Sequence, residues 1–125
     1  MTRVMVVADC GTPMATLTTA LARIDHVDIV RHASARGPLG PMVRKLAPDL
    51  VFIDEVHWPA LILNRVAELR EHAPGAAIIV LTSQPDAPWL AVVLRAGAAA
   101  VASTNLDDLT LARLVGEVLA EPIAA

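Results

Sequence analysis

The sequence predicts an α/β fold, a doubly wound five-stranded parallel sheet of order 2-1-3-4-5 between two layers of helices, which is a three-layer sandwich. Short apolar runs alternate with amphipathic segments along the chain, without an internal repeat or a linker. The runs at 4–7, 48–54 and 76–82 are almost continuously apolar, which indicates strands buried on both faces. Right-handed crossovers between parallel strands then give this order, which is that of flavodoxin-like proteins.

Turn-forming residues divide the first half of the chain. A strand at 4–7 is followed by a loop, and Thr12-Pro13 begins the first helix as N-cap and first helical position. Residues 26–31 alternate between apolar and polar, which suits a strand near a sheet edge. Two Gly-Pro pairs favour a loop over 34–41, so the second helix is short, at about 42–47.

In the second half of the chain, three strands alternate with three helices. Gly97 follows the fourth helix and is expected to be its C-cap. The pair Asp107-Asp108 lies at the start of the last helix and complements its dipole. The predicted elements are a third strand that ends at Asp54, a loop at 55–59, a helix that follows it and stops near Pro74, a strand at 76–82, a helix at 89–96, a strand at 98–102 and a helix at 106–120.

Length, composition and charge limit the class of protein. We expect one domain over 1–121 and a C-terminal tail over 122–125 in this chain of 125 residues. The net charge of −3, without a basic stripe, gives no reason to expect nucleic acid as a direct partner. No apolar run approaches the roughly 20 residues that cross a bilayer, so no membrane partner is expected. The single cysteine and the lack of a signal peptide favour a cytoplasmic location.

Polar residues collect where the predicted strands end. The carboxyl ends of strands one, three, four and five meet at one edge of the sheet and bring together Asp9, Asp54, Thr82 and Ser103-Thr104. A carboxylate can attack a phosphoryl group when the negative charges of both are neutralised. Mg²⁺ held by carboxylates supplies most of that neutralisation. Asp54 is therefore a candidate nucleophile, Asp9 and Asp54 are candidate metal ligands, and Thr82 is a candidate hydroxyl donor.

Four segments of the chain share a pattern with a known family, and they are 4–9, 48–54, 78–83 and 96–98. Together they resemble the receiver domain of bacterial two-component response regulators, which has the CheY-like fold. The resemblance spans about the whole chain. It implies a signalling domain, not an enzyme, in which a histidine kinase donates a phosphoryl group to the aspartate that ends strand three, here Asp54. Segment 94–98 most resembles receivers attached to a helix-turn-helix domain, as in LuxR/NarL-type regulators.

Three positions depart from the pattern of this family. Ala8 stands where the first of two adjacent acids is expected, so the implied Mg²⁺ site is weakened. Thr104 stands at the position of the family's lysine, and it donates a hydrogen bond but carries no charge. Val101 replaces the aromatic residue of strand five. Lys45, the only lysine of the chain, lies before strand three and is a poor substitute. The departures resemble an atypical receiver or pseudo-receiver.

Several candidate residues keep a second interpretation. Asp9 either binds a metal or holds its loop by accepting backbone N–H bonds. Thr82 is either a phosphate donor or a β-branched residue that ends a strand. His57 is either a ligand of a small metal site or a solvated loop histidine. Trp58 and Trp89 are either exposed anchors for a partner or packed side chains that close the loops.

The sequence leads to a first hypothesis and two alternatives. The first is a signalling domain that acts through protein–protein contacts and homodimerises through helix four, strand five and helix five, at 88–96, 98–102 and 106–120. The first alternative is a phosphorylation-independent pseudo-receiver that serves as an interaction domain. The second is a flavodoxin-like small-ligand-binding domain, which is disfavoured because the chain has no Gly-rich phosphate loop and few aromatic residues to stack on a flavin.

Overall fold

In the computed structural model, strands and helices alternate along the described part of the chain, which comprises residues 1–8, 15–54, 56, 58–84 and 86–119. The strand order is β2-β1-β3-β4-β5 and every neighbouring pair is parallel, so the predicted doubly wound sheet is confirmed. The elements are β1 (Thr2–Ala8), α1 (Ala15–Ala22), β2 (Val27–Ser34), α2 (Gly40–Leu46), β3 (Leu50–Asp54), α3 (Pro59–His72), β4 (Ala77–Thr82), α4 (Leu90–Ala96), β5 (Ala100–Ser103) and α5 (Asp108–Leu119).

The central strands β1, β3 and β4 carry one layer of core on each face. Successive side chains of a strand point to opposite faces, so a strand covered on both sides needs apolar residues at every position. One face packs against α2, α3 and α4, and the other packs against α1 and α5. Along β3, for example, Val51 and Ile53 belong to the first layer, whereas Leu50 and Phe52 belong to the second.

The edge strand β2 is longer than predicted and extends to Ser34 instead of ending at 31. Its pairing with β1 skips Val30, which is therefore a bulged residue. Beyond the bulge the alternation changes phase, and Ala33 is the buried residue. The alternation of apolar and polar residues that predicts a strand at 26–31 is interrupted by this bulge, so it does not predict the rest of the strand. The predicted position of this strand at the sheet edge is confirmed.

The predicted start of α2 is wrong by two residues, because Gly40 and Pro41 form its first turn instead of the end of the loop. Proline is tolerated in a first turn, since its missing N–H has no helical partner there. The N-cap residue Leu39 makes no side-chain cap. Instead, a carboxylate oxygen of Glu68 in α3 accepts the N–H of Leu39 at 3.0 Å and that of Gly40 at 2.9 Å. A contact from a distant helix thus supports this start.

The ends of the later helices agree with the capping residues of the sequence. Gly97 has a φ of +126° and its N–H donates to the Leu94 carbonyl, so the predicted C-cap of α4 is confirmed. Before α5, Asp107 accepts the Thr110 N–H at 2.7 Å, and hydrogen bonds from Thr110 hold the pKa of Asp107 below its usual value. The predicted end of this helix at 120 and the predicted tail at 122–125 lie outside the described residues. None of the described helices is long and apolar enough to span a membrane.

Candidate functional site

Asp54 lies at the carboxyl edge of the sheet, at the end of the central strand β3. Because side chains alternate along the strand, Asp54 shares the face of α1 and α5 with Leu50 and Phe52. The residue is only 3% exposed. A buried carboxylate is costly unless hydrogen bonds compensate for the lost water, so its neighbours determine what it can do.

Thr104 is one of those neighbours. Its hydroxyl donates a hydrogen bond of 3.2 Å to Oδ1 of Asp54. Its backbone N–H donates to the Thr82 carbonyl at 2.9 Å, which fixes the start of the β5–α5 loop against the end of β4. The two predicted site residues Asp54 and Thr104 are therefore in direct contact, through a neutral donor.

Thr82, the third predicted residue, ends β4 and is buried. Across the ladder Asp54 is paired with Leu81, and Thr82 is paired with Ser103 of β5. The Thr82 hydroxyl oxygen accepts the N–H of Gln84 at 3.0 Å, which stabilises the turn after the strand. This hydrogen bond fits the interpretation of Thr82 as a residue that ends a strand, and its role as a phosphate donor stays a prediction.

A small cavity of about 50 Å³ adjoins Asp54 between α1 and α5. Its polar lining residues are Asp54, Asp108, Ser103 and Thr104. Asp108, at the first turn of α5, forms an ion pair of 2.5 Å with Arg23, and both side chains are at least half exposed. The apolar part of the lining is Leu17, Ala20, Leu81, Leu106 and Leu111.

The structure describes only part of the predicted metal site, because Asp9 and His57 lie outside the described residues. Ala8 is paired directly with Asp54 in the sheet and is fully buried, so a methyl group stands where a second carboxylate is expected. Among the described residues, no group of three or more His, Cys, Asp or Glu side chains could hold a metal ion. Asp54 is thus the carboxylate that the described part of the expected site supplies.

The two tryptophans differ in exposure. Trp58, just before α3, is 61% exposed, and the guanidinium of Arg36 lies 5.1 Å from its ring centre. Trp89, just before α4, is partly buried and packs against the core layer of α2, α3 and α4. Of the two alternatives, exposure fits Trp58 and packing fits Trp89.

Sequence reasoning missed a charged network on the other side of the sheet. Arg65 donates to Oε1 of Glu68 at 2.8 Å and to the Ala35 carbonyl at 2.7 Å. Burial raises the pKa of the Glu68 carboxyl, but hydrogen bonds from Gly40, Leu39 and Arg65 lower it more, so its pKa lies below the usual value. The spacing of Arg65 and Glu68 indicates a pair on one helix. The spacing does not indicate that the pair also forms hydrogen bonds with the backbone of Ala35, Leu39 and Gly40.

The architecture and the site can be compared with known proteins. No family model and no curated protein matches the chain. Among solved structures, the chain is similar to the signal receiver domain of NarL from Mycobacterium tuberculosis, with a TM-score of 0.82 and 16% identity over 97% of this chain and 98% of that one. It is also similar to a response regulator from Thermotoga maritima, with a TM-score of 0.79 and 21% identity over 97% and 100% of the two chains. The chain has the receiver fold.

The receiver fold also occurs in a pilus assembly protein, cpaE, from Burkholderia thailandensis. This chain is similar to that protein with a TM-score of 0.76 and 18% identity, over 97% of this chain and 100% of that one. Sequence identities this low show a common fold and no more. The function has to be argued from the site.

Proposed function

We propose that this chain is a receiver-like signalling domain, not an enzyme, that acts through protein–protein contact and has Asp54 as its phospho-acceptor. One observation carries the proposal. The Asp54 carboxylate is buried at the carboxyl end of a central strand, is held by the Thr104 hydroxyl, and borders a cavity. Carboxyl ends of parallel strands are where such folds carry ligands and chemistry.

The proposed reaction is transfer of a phosphoryl group from a phosphohistidine of a kinase. A carboxylate oxygen of Asp54 attacks phosphorus, an O–P bond forms, and the N–P bond breaks with its electron pair remaining on the histidine nitrogen. The Thr104 hydroxyl orients the carboxylate for this attack. Mg²⁺, for which Asp9 and Asp54 are the proposed ligands, neutralises negative charge when it is bound.

Three positions support an atypical receiver. Ala8 brings no metal ligand to the sheet position beside Asp54. Thr104 contacts Asp54 as a neutral hydroxyl, where a lysine would add a positive charge. Val101 is a half-buried aliphatic residue on β5, so an aromatic side chain cannot report the state of the site. We therefore expect slow or weak phosphorylation.

The second candidate is a phosphorylation-independent interaction domain. The buried methyl of Ala8 favours it, because Mg²⁺ affinity depends on the number of carboxylates that reach the ion. Both candidates predict contact with another protein, and they differ at Asp54.

The contact surface that we propose is formed by α4, β5 and α5, with a second copy of the chain as partner. Val92, Leu94 and Leu109 are exposed apolar residues on these helices. β5 is an edge strand of small residues, so a partner can approach closely. A histidine kinase is the second proposed partner, and the proposed location is the cytoplasm. We propose no direct contact with nucleic acid or membrane, in keeping with the net charge of −3.

The decisive experiment is the intact mass of the protein after incubation with acetyl phosphate and Mg²⁺. We expect one added phosphoryl group on the wild type and none on Asp54→Asn. Asp86→Asn is the matched control, since it removes an exposed aspartate of a loop and should still be modified. Absence of the adduct from folded wild type would favour the second candidate. An adduct that persists in Asp54→Asn would contradict the assignment of the acceptor.

A further inference from the structure

The β5–α5 loop connects Asp54 with the first turn of α5. At its start, Thr104 donates its hydroxyl to Asp54 at 3.2 Å and its N–H to the Thr82 carbonyl at 2.9 Å. At its end, Asp107 accepts the Thr110 N–H at 2.7 Å and begins the helix. Only Asn105 and Leu106 separate the two anchored residues, so a displacement of Thr104 reaches α5 through a short piece of chain.

The cavity beside Asp54 leads to the same helix. Leu106 and Asp108 line it together with Asp54, and Leu106 also packs against the core layer of α1 and α5. Asp108 is in turn the partner of Arg23, which follows α1. A group added to the Asp54 carboxylate within this space would therefore press on residues that position α5 against α1.

The β4–α4 loop is connected to the site in another way. The Thr82 hydroxyl oxygen accepts a hydrogen bond from Gln84 of its own turn. Along β4, Ile79 and Leu81 belong to the core layer on the face of Asp54, whereas Ile78 and Val80 belong to the layer on the opposite face. By this alternation, Thr82 is directed away from the cavity that adjoins Asp54.

We propose that Thr104 is a positioning residue that couples the state of Asp54 to the surface where α1 ends and α5 begins. The responding residues are Arg23, Asp108 and Leu109. The proposal rests on the proposed function for its trigger, a phosphoryl group on Asp54. Such a group carries about −1.5 to −2 charges. In the cavity it competes for the Thr104 hydroxyl and repels the Asp108 carboxylate, which weakens the pair with Arg23.

Leu109 gives a partner protein an apolar contact beside the Arg23–Asp108 pair, so the partner can respond to a change in that pair. It is 71% exposed and lies next to Asp108 in the first turn of α5. A partner that packs against Leu109 would meet a different arrangement of Arg23 and Asp108 in the two states. The interaction surface inferred here is therefore the junction of α1 and α5, and its response passes through the β5–α5 loop.

Residue-resolved amide exchange by NMR tests this coupling in the intact chain of 13.2 kDa. Thr104→Val removes the hydroxyl without a phosphoryl group. We expect amides at 105–111 to exchange about tenfold faster, with those at 83–90 changed less than twofold. Thr104→Ser keeps the hydroxyl and should restore wild-type exchange. Thr82→Val is the matched variant, and it should affect 83–90 and not 105–111.

A second arm repeats the exchange measurement after treatment with acetyl phosphate and Mg²⁺. If Asp54 is modified, we expect changes at 105–111, and changes confined to 83–90 would overturn the inference while the proposed function stands. If no adduct forms, the proposed phosphorylation fails and the variants still decide the coupling. Unchanged exchange at 105–111 in folded Thr104→Val would overturn the inference.

Discussion

The two faces of the sheet each carry a carboxylate that the protein holds by hydrogen bonds, and the two are held differently. On the side of α2 and α3, Glu68 accepts two backbone N–H groups and the guanidinium of Arg65. On the side of α1 and α5, Asp54 accepts the neutral hydroxyl of Thr104 and borders a cavity. Glu68 joins α3 to the start of α2, whereas the cavity beside Asp54 leaves room for an incoming group. The difference separates a carboxylate that supports the fold from one suited to chemistry.

We expect the largest loss of stability when Glu68, the carboxylate that supports the fold, is removed. Glu68→Ala leaves the N–H groups of Leu39 and Gly40 and the Arg65 guanidinium without their acceptor. The Arg65 and Glu68 side chains are 17% and 18% exposed, so water replaces the carboxylate poorly. We expect the free energy of unfolding to fall by about 2–3 kcal/mol. Urea denaturation followed by circular dichroism measures it, and a loss below about 0.5 kcal/mol would contradict the role of Glu68.

The pH dependence of stability also tests the structural role of Glu68, and its expected effect is smaller. The pKa of Glu68 is lower in the folded protein than the ordinary value of about 4.3, because three donors favour its charged form. The unfolded chain therefore binds more protons, and stability falls as the pH falls through the folded pKa. We expect Glu68→Gln to lose less stability than wild type as the pH falls from 6 to 3. Equal slopes in the two proteins would rule out a contribution from this carboxyl.

We expect the smallest change of stability when Asp54, the carboxylate of the candidate site, is replaced. Asp54→Asn keeps an oxygen that accepts the Thr104 hydroxyl, and it removes a buried charge. We expect the free energy of unfolding to change by less than about 1 kcal/mol in either direction. The measurement is the same urea denaturation, with Glu68→Gln as the matched change of a carboxyl to an amide. A loss as large as that of Glu68→Ala would erase the distinction between the two carboxylates.

The sheet order and the place of Asp54 could be predicted from the sequence, because both follow from local patterns. Continuous apolar runs identify central strands, and the residue that ends such a run lies at the carboxyl edge. The spacing also placed Thr104 at the same edge, where it contacts Asp54.

Other features depend on contacts that no local pattern contains. The bulge at Val30 shifts the phase of β2, so the period of two ends before the strand does. The start of α2 at Gly40 depends on Glu68, which lies 28 residues further along the chain. The exposure of Trp58 and the packing of Trp89 follow from how their loops lie on the helices. Asp9 and His57, the remaining candidate ligands, lie outside the described residues and stay predictions.

The missing cap of α2 has a consequence for the order in which the protein folds. A helix of seven residues is too short to form alone, because nucleation is costly, and Leu39 gives it no cap of its own. Its first N–H groups find an acceptor only when Glu68 is in place, and its Arg44 lies 2.5 Å from His72 of the same distant helix. We therefore expect α2 not to form before α3, and the two helices to open together as one cooperative unit. The pair of helices, which β3 separates along the chain, is then the unit that folding assembles on that face.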